Sequence, residues 1–176
     1  MNHLARAIFL DRDGVLNRKA PDGSYVASIG ELELLPGSLD AIAKLCRNGW
    51  QVFLVTNQRG IARGMVSAEA VEQIHEWLLG QVNNAGGAIA QVYVCPHDDS
   101  DSCDCRKPKP GMLLRAAHEH ALDLAQSWMV GDSISDMQAG RAAGCKTAYL
   151  GEGNCEIADV QAPSLQVFVE QLLSQT

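Results

Sequence analysis

The sequence has no long apolar run, since no stretch of its 176 residues approaches the roughly 20 apolar residues that a membrane span needs. It also has no surplus of positive charge: 21 acidic residues outnumber 14 basic ones, and the formal net charge is −7. A binder of nucleic acid or of an anionic membrane would show a basic face, so both classes are disfavoured. A phosphate ligand is compatible, because a few local cations and a metal suffice to hold it.

Targeting segments, internal repeats and linkers are also missing. Residues 1–6 show no signal peptide, because the apolar run that follows them is short and meets Asp11 at once. We therefore expect a cytoplasmic protein whose six cysteines are thiols or metal ligands rather than disulfides. The length and a hydrophobic content of 47% fit a single domain, residues 1–176, with a full core. No exposed apolar stripe stands out, so we expect a monomer.

Short β-rich runs alternate with helical patterns along the chain. The patterns predict strands at 7–10, 51–55, 89–94, 127–130 and 146–150, and helices at 37–48, 67–84, from 110 onward, 133–143 and 164–173. Residues 17–35 indicate a loop with at most a small hairpin. The alternation predicts an α/β fold, a doubly wound (Rossmann-like) parallel sheet with helices on both faces. Right-handed crossovers then bring the loops after the strands to one edge of the sheet.

Two aspartates leave the end of the first predicted strand. Asp11 and Asp13 are two residues apart, so in an extended chain both point toward the edge where open α/β sheets bind ligands. Like charges are costly there unless a cation or a reaction needs them, and one carboxylate could attack while the other moves protons. On these residues alone, a simple turn at Asp13-Gly14 is an equally good interpretation.

The ends of two further strands carry polar side chains as well. Thr56 and Asn57 follow the second strand, where a hydroxyl and backbone N–H groups can hold phosphate oxygens, although a plain loop explains this pattern more often. Asp132 follows the fourth strand and adds an acid for a hard cation such as Mg²⁺, unless it is only a helix N-cap. Asp136 either orients a neighbour, accepts a bond from a metal-bound water, or is a solvated helix residue.

A cationic segment, Arg106-Lys107-Pro108-Lys109-Pro110, precedes the helix predicted from residue 110. A cation beside an acidic cluster can offset the charge of a phosphoryl group during transfer. Surface cations usually have no specific role. A cysteine and two prolines constrain these residues, however, so the sequence favours a function for Lys107 and for Arg106.

Four metal-ligand side chains fall within eleven residues of a polar loop: Cys95, His97, Cys103 and Cys105. Three thiolates and one imidazole form a closed tetrahedral Zn²⁺ set of the structural type, with no open position for a substrate. Free thiols, a redox pair or a lone surface histidine are weaker explanations for ligands this close together. Zinc would fix a loop that has little apolar content of its own.

The ordered set Asp11-x-Asp13-Gly14, Thr56-Asn57, Lys107 and Gly131-Asp132-x-x-x-Asp136 resembles the haloacid dehalogenase superfamily. Together with residues 56–64 and the cysteine loop, it is similar to a subgroup that contains heptose bisphosphate phosphatases and histidinol-phosphate phosphatases. The resemblance extends from about residue 7 to residue 150.

The resemblance implies a phosphatase that depends on Mg²⁺ and carries a structural Zn²⁺. Asp11 would attack phosphorus and become a phosphoaspartate, while Asp13 would protonate the leaving alkoxide and then deprotonate water. Asp11, Asp132 and the backbone carbonyl of Asp13 would hold Mg²⁺. Thr56 and Lys107 would stabilise the transferring phosphoryl group.

The resemblance also implies a site for a small phosphorylated sugar. The expected substrate contacts are Arg12, Lys19, Ala20, Pro21, Asp22, Asn57, Gln58, Arg59, Arg106 and Ser133. With no large cap domain, the zinc loop and a flap of residues 17–26 would shape the pocket. The implied reaction is removal of the 7-phosphate of D-glycero-D-manno-heptose 1,7-bisphosphate, in nucleotide-activated heptose synthesis for lipopolysaccharide core or S-layer glycan. A histidinol-phosphate phosphatase and a non-catalytic, zinc-stabilised binding module are the alternatives.

Overall fold

A computed structural model describes residues 4–175; the outermost residues of the predicted domain, 1–3 and 176, lie outside this range. Six strands within it form one parallel sheet in the order β3-β2-β1-β4-β5-β6. The strands are β1 (Ala7–Leu10), β2 (Gln51–Asn57), β3 (Gln91–Cys95), β4 (Trp128–Gly131), β5 (Lys146–Leu150) and β6 (Val160–Ala162). The α-helices are α1 (Ser38–Arg47), α2 (Ala68–Asn84), α3 (Gly111–His120), α4 (Ile134–Ala143) and α5 (Leu165–Ser174).

Helices cover both faces of the sheet, as the alternation of strands and helices predicts. Side chains of a strand point alternately to the two faces, so Ile8 and Leu10 pack in one core cluster with residues of α1, α2 and α5. Ala7 and Phe9 pack in the other, with residues of α3 and α4. All four are fully buried, which explains why β1 is a continuous apolar run. No helix in the described part of the chain has the length and apolar character needed to cross a bilayer.

Helix α4 begins at a serine rather than at the preceding aspartate. Ser133 is the N-cap, and its side chain accepts a bond from the backbone N–H of Asp136, while the Asp136 carboxylate accepts one from Ser133 N–H at 3.1 Å. This capping box satisfies two backbone donors that would otherwise lack partners. The alternative interpretation of Asp132 as an N-cap is therefore wrong, and the cap does not use its carboxylate.

The structure departs from the predicted elements mainly at β6 and at the ends of strands. Strand β2 extends to Asn57, because Thr56 and Asn57 pair with β3, so these two residues end the strand instead of following it. Strand β6 was not predicted, because its three residues carry no periodic signal and it is ordered by pairing with β5. Residues 17–35 are a loop, as predicted, and the optional hairpin is reduced to a single antiparallel bridge between Asn17 and Leu34, with a 3₁₀ turn at Ile29–Glu31. Strand β3 begins at residue 91 rather than 89, because Ile89 packs against the core from the connection before the strand.

The strand order reverses beside β1, whose neighbours are β2 and β4. Ligands of open α/β sheets bind at such a switch point, outside the carboxyl ends of the strands. The backbone N–H of Asp11 donates to Val130 O at 3.0 Å, which continues the pairing of β1 with β4 past the end of β1. The topology therefore brings the residues after β1, β2 and β4 to one crevice.

Candidate active site

Three carboxylates meet at the end of β1 and β4. Ligand oxygens of Asp11, Asp132 and Asp136 all lie within 4.8 Å of one another. Two glycines permit this approach, because a Cβ at Gly14 would collide with the Asp132 carboxylate and a Cβ at Gly131 would collide with that of Asp136. Gly14 also has a φ of 87°, a conformation that costs other residues about 1–2 kcal/mol.

A buried lysine lies between two of these carboxylates. The Lys107 ammonium lies 2.9 Å from Asp11 Oδ1 and 2.7 Å from Asp136 Oδ1, and it donates to Val55 O at 2.8 Å. Burial alone would lower the pKa of Lys107, but the two carboxylates raise it above its ordinary value, so the side chain stays charged. The Asn57 amide holds the lysine backbone from both sides, donating to Lys107 O at 3.0 Å and accepting from Lys107 N at 3.1 Å.

The donor set fits a divalent cation such as Mg²⁺. Asp132 Oδ1 is buried and accepts no hydrogen bond from any described residue. Burial raises the pKa of Asp11 to about 7 in spite of the nearby Lys107, so an ionised Asp11 calls for a further positive charge. Lys19 supplies part of this positive charge, because its ammonium lies 2.6 Å from Asp132 Oδ2. Carboxylate oxygens are the ligands that Mg²⁺ prefers.

Asp13 lies outside the cation cluster and is held by three side chains. Arg12 Nη2 donates to both Asp13 oxygens, at 3.1 and 3.0 Å, while Asn17 Nδ2 and Gln58 Nε2 donate to one oxygen each, at 2.9 and 3.0 Å. Although burial opposes ionisation, these donors hold the pKa of Asp13 below its usual value. Gln58 also donates to the buried hydroxyl oxygen of Thr56 at 2.9 Å, which links the ends of β1 and β2.

The predicted zinc ligands converge. Ligand atoms of Cys95, His97, Cys103 and Cys105 all lie within 4.8 Å of one another. A tetrahedral Zn²⁺ with Zn–S near 2.3 Å and Zn–N near 2.0 Å implies S···S separations of about 3.8 Å and N···S separations of about 3.5 Å. The Sγ atoms of Cys95 and Cys103 are 3.7 Å apart, and His97 Nδ1 is 3.3 Å from Cys105 Sγ and 3.7 Å from Cys95 Sγ. The residues therefore fit zinc.

Comparisons with known proteins identify the family. Residues 104–173 match the model of the HAD-hydrolase-like family. A D-glycero-beta-D-manno-heptose-1,7-bisphosphate 7-phosphatase of Pseudomonas aeruginosa is 42% identical over 146 residues, covering 83% of this chain and 81% of the relative. One of Yersinia pestis is 43% identical over 157 residues, covering 85% and 82%. The chain belongs to this family of haloacid dehalogenase (HAD) phosphatases.

A solved structure supports the same family assignment for the phosphatase. The D,D-heptose 1,7-bisphosphate phosphatase of B. bronchiseptica, crystallised with magnesium and phosphate, superimposes with a TM-score of 0.89 at 38% identity. The alignment covers 97% of this chain and 99% of the other. The fold is therefore that of a HAD phosphatase, as the motifs implied.

Several predicted substrate contacts lie around Asp13 in the phosphatase site. A cavity of about 180 Å³ lies beside Asp13, and five of the predicted contacts line it: Arg12, Lys19, Ala20, Asn57 and Gln58. Tyr25 of the flap also lines the cavity and lies against Gly60, where a Cβ would crowd its ring. The flap thus covers the side of the site where Asp13 is held.

The two predicted arginine contacts at the zinc loop converge on one carboxylate. Arg106 Nε donates to Asp99 Oδ1 at 2.6 Å, and Arg59 Nη1 donates to Asp99 Oδ2 at 3.2 Å. Arg106 Nη1 also donates to His97 O at 3.3 Å, which ties the segment before Lys107 to the zinc loop. Asp99 is exposed, so its carboxylate lies where a solvent-borne anion could bind.

Four predicted contacts have other surroundings. Arg12 borders the cavity beside Asp13, but it is only 1% exposed and its guanidinium is engaged by Asp13 and His75. The Ser133 hydroxyl is taken up by the cap of α4. Pro21 and Asp22 are exposed at the tip of the flap, and Pro21 lines a separate flap cavity of about 500 Å³.

The sequence patterns missed Asn17, which donates to Asp13, and His75, which contacts Arg12. Asn17 is fully buried, yet it lies in a loop segment with no periodic signal. His75 lies on α2 among the apolar positions Val71, Ile74 and Leu78, where a histidine is typical of the core. A polar residue on an otherwise apolar stripe was the available signal. For Asp136, the sequence left open a solvated position on the helix as one alternative. Asp136 is fully buried, so that alternative is wrong.

Proposed function

We propose that this phosphatase removes the 7-phosphate of D-glycero-D-manno-heptose 1,7-bisphosphate through a phosphoaspartate on Asp11. The observation that carries the chemistry is the buried contact of Lys107 with Asp11, beside Asp132 and Asp136. The relatives that share about 40% identity over more than four fifths of the chain support the substrate. The setting we propose is nucleotide-activated heptose synthesis by a cytoplasmic monomer.

The first step is the transfer of the phosphoryl group to the protein. A carboxylate oxygen of Asp11 forms a bond to phosphorus, and the bond from phosphorus to the sugar oxygen breaks. Because its pKa is low, Asp13 must first take up a proton from solvent, and it then gives that proton to the departing alkoxide. Lys107 and the Thr56 hydroxyl stabilise charge on the transferring oxygens. Mg²⁺ held by Asp11, Asp132 and the backbone carbonyl of Asp13 would neutralise the phosphoryl charge further.

The second step returns Asp11 to its starting state. A water attacks the phosphorus of the phosphoaspartate, Asp13 takes a proton from that water, and the bond from phosphorus to the Asp11 oxygen breaks. The products are inorganic phosphate and the Asp11 carboxylate. The three donors around Asp13 keep it within reach of both proton transfers, because it stays on the cavity side of the site.

The second phosphate of the substrate would bind at the zinc loop. Arg59 and Arg106 converge on the Asp99 carboxylate, which is an anion in the place that a phosphate would occupy. Planar guanidinium groups suit this task because they donate to two oxygens at once. Zinc has a structural role in this proposal, since it would hold the loop that positions Arg106.

A phosphate-release assay tests the proposal. Both anomers of the heptose bisphosphate and histidinol phosphate are compared with purified protein and Mg²⁺. We expect the heptose compound to be preferred, and Asp11→Asn to abolish turnover while the fold is kept. Asp40→Asn, an exposed position on α1, serves as the matched control. A tenfold preference for histidinol phosphate in kcat/KM, about 1.4 kcal/mol, would contradict the proposed substrate. If the wild type binds the ligand but does not turn it over, the result would instead favour a binding module.

A further inference from the structure

A buried histidine on α2 has a polar contact that core packing does not require. His75 is 6% exposed, and the nearest positions on the same face of the helix, Val71, Ile74 and Leu78, are apolar and buried. Its Nε2 lies 3.2 Å from Arg12 Nη1, 63 residues away in the chain. Because a guanidinium only donates, Nε2 must be the acceptor and the ring proton must lie on Nδ1. Burial and the Arg12 charge lower the pKa of His75 to about 4, consistent with a neutral acceptor.

Arg12 connects this histidine to Asp13. Its Nη2 and Nε face the Asp13 carboxylate, with Nη2 at 3.1 and 3.0 Å from the two oxygens and Nε at 3.4 Å from Oδ1. The remaining nitrogen, Nη1, points to His75. The guanidinium is planar, so a bond at Nη1 fixes the rotation of the plane that holds the carboxylate. At 1% exposure, Arg12 has no access to solvent that could replace either partner.

We propose that His75 is a positioning residue for Asp13, acting through Arg12; this rests on the acid/base role of Asp13 in the proposed function. Without the bond at Nη1 the guanidinium can turn, so its bonds to Asp13 lose their fixed geometry and only Asn17 and Gln58 hold the carboxylate as before. A misplacement of about 1 Å at a reacting group can cost roughly a hundredfold in rate. The loss falls on the two proton transfers of Asp13, to the leaving group in the first step and from water in the second, and not on phosphate binding or on the nucleophile.

This selectivity separates a positioning role from a packing role. A sugar alkoxide is a poor leaving group and needs a proton from Asp13, whereas p-nitrophenolate leaves without one. In kcat/KM, which reports on the first step, a positioning residue therefore matters for the sugar phosphate and little for p-nitrophenyl phosphate; the second step is common to both substrates. A residue that only fills space in the core affects both substrates alike, in proportion to the fraction of protein that is folded.

The experiment compares His75→Leu and His75→Gln with the wild type on heptose bisphosphate and on p-nitrophenyl phosphate. We expect His75→Leu to lower kcat/KM for the sugar substrate about tenfold to a hundredfold, with less than about a threefold effect on kcat/KM for the aryl substrate. His75→Gln keeps an acceptor oxygen and should recover most of the sugar activity. Val71→Ala, one turn earlier on the same face, is the matched control and should change both activities equally.

Equal losses in kcat/KM on both substrates with His75→Leu, or no loss on either, would overturn the inference. If His75→Leu does not fold, Arg12→Lys replaces it, because lysine keeps the charge but cannot bridge Asp13 and His75 with a planar fork; the same selective loss is required. If the wild type hydrolyses only histidinol phosphate, the proposed substrate fails. The comparison is then made with that alkyl phosphate, and the same criterion decides the role of His75.

Discussion

Replacing Lys107 by methionine tests the arrangement on which the chemistry rests. The substitution removes the ammonium but keeps an unbranched side chain of similar length, so Asp11 and Asp136 face each other without the cation between them. Their side chains are 13% and 1% exposed, so water compensates little. Removing one partner of a buried ion pair costs about 3–5 kcal/mol. Because one carboxylate can take up a proton, we expect the lower value, about 3 kcal/mol at pH 7 without metal.

Urea unfolding of the metal-free protein measures this cost. The matched control is Lys109→Met, two residues along the chain, where the ammonium is half exposed and lies 3.6 Å from Asp104. A surface pair of that kind contributes at most about 1 kcal/mol. Adding Asp136→Asn to Lys107→Met should recover about 1–2 kcal/mol, because it removes one of the uncompensated charges. A cost for Lys107→Met no larger than that of Lys109→Met would refute the reasoning.

Three further predictions follow from other contacts. His75 binds a proton in the unfolded chain below about pH 6.5, but in the folded chain only near pH 4. Between pH 7 and pH 4 the free energy of unfolding of the wild type should therefore fall by about 3 kcal/mol more than that of His75→Leu. An equal dependence of the free energy of unfolding on pH in the two proteins would contradict this. Cys103→Ser should lower zinc content and melting temperature together, and a fall in turnover with both unchanged would show that the zinc is not structural. Gly14→Ala should lower kcat by about a hundredfold by displacing Asp132, whereas Gly144→Ala, with a similar φ of 86° and open space, should cost only stability in a melting experiment.

The order of strands and helices was predictable because its signals are local. The apolar run before Asp11 and the cap at Ser67 each depend on residues within a few positions. The parallel topology follows from the alternation, and it explains why Asp11 and Asp132 share one edge of the sheet. Strand β6 escaped prediction because its order depends on pairing with β5, about a dozen residues away, and not on its own pattern.

The candidate site, like the fold, was predictable only in part. The residue types at the strand ends and the four ligands of the zinc loop were visible as motifs, because chemistry restricts which side chains follow a strand or crowd a short loop. The partners of those residues were not visible. Lys107 reaches Asp11 across 96 positions, and Arg12, which the motif predicted as a substrate contact, also links Asp13 to His75. A short motif identifies the reacting groups. Long-range packing determines which buried donor each carboxylate contacts, because these contacts depend on how the faces of helices and sheet pack together.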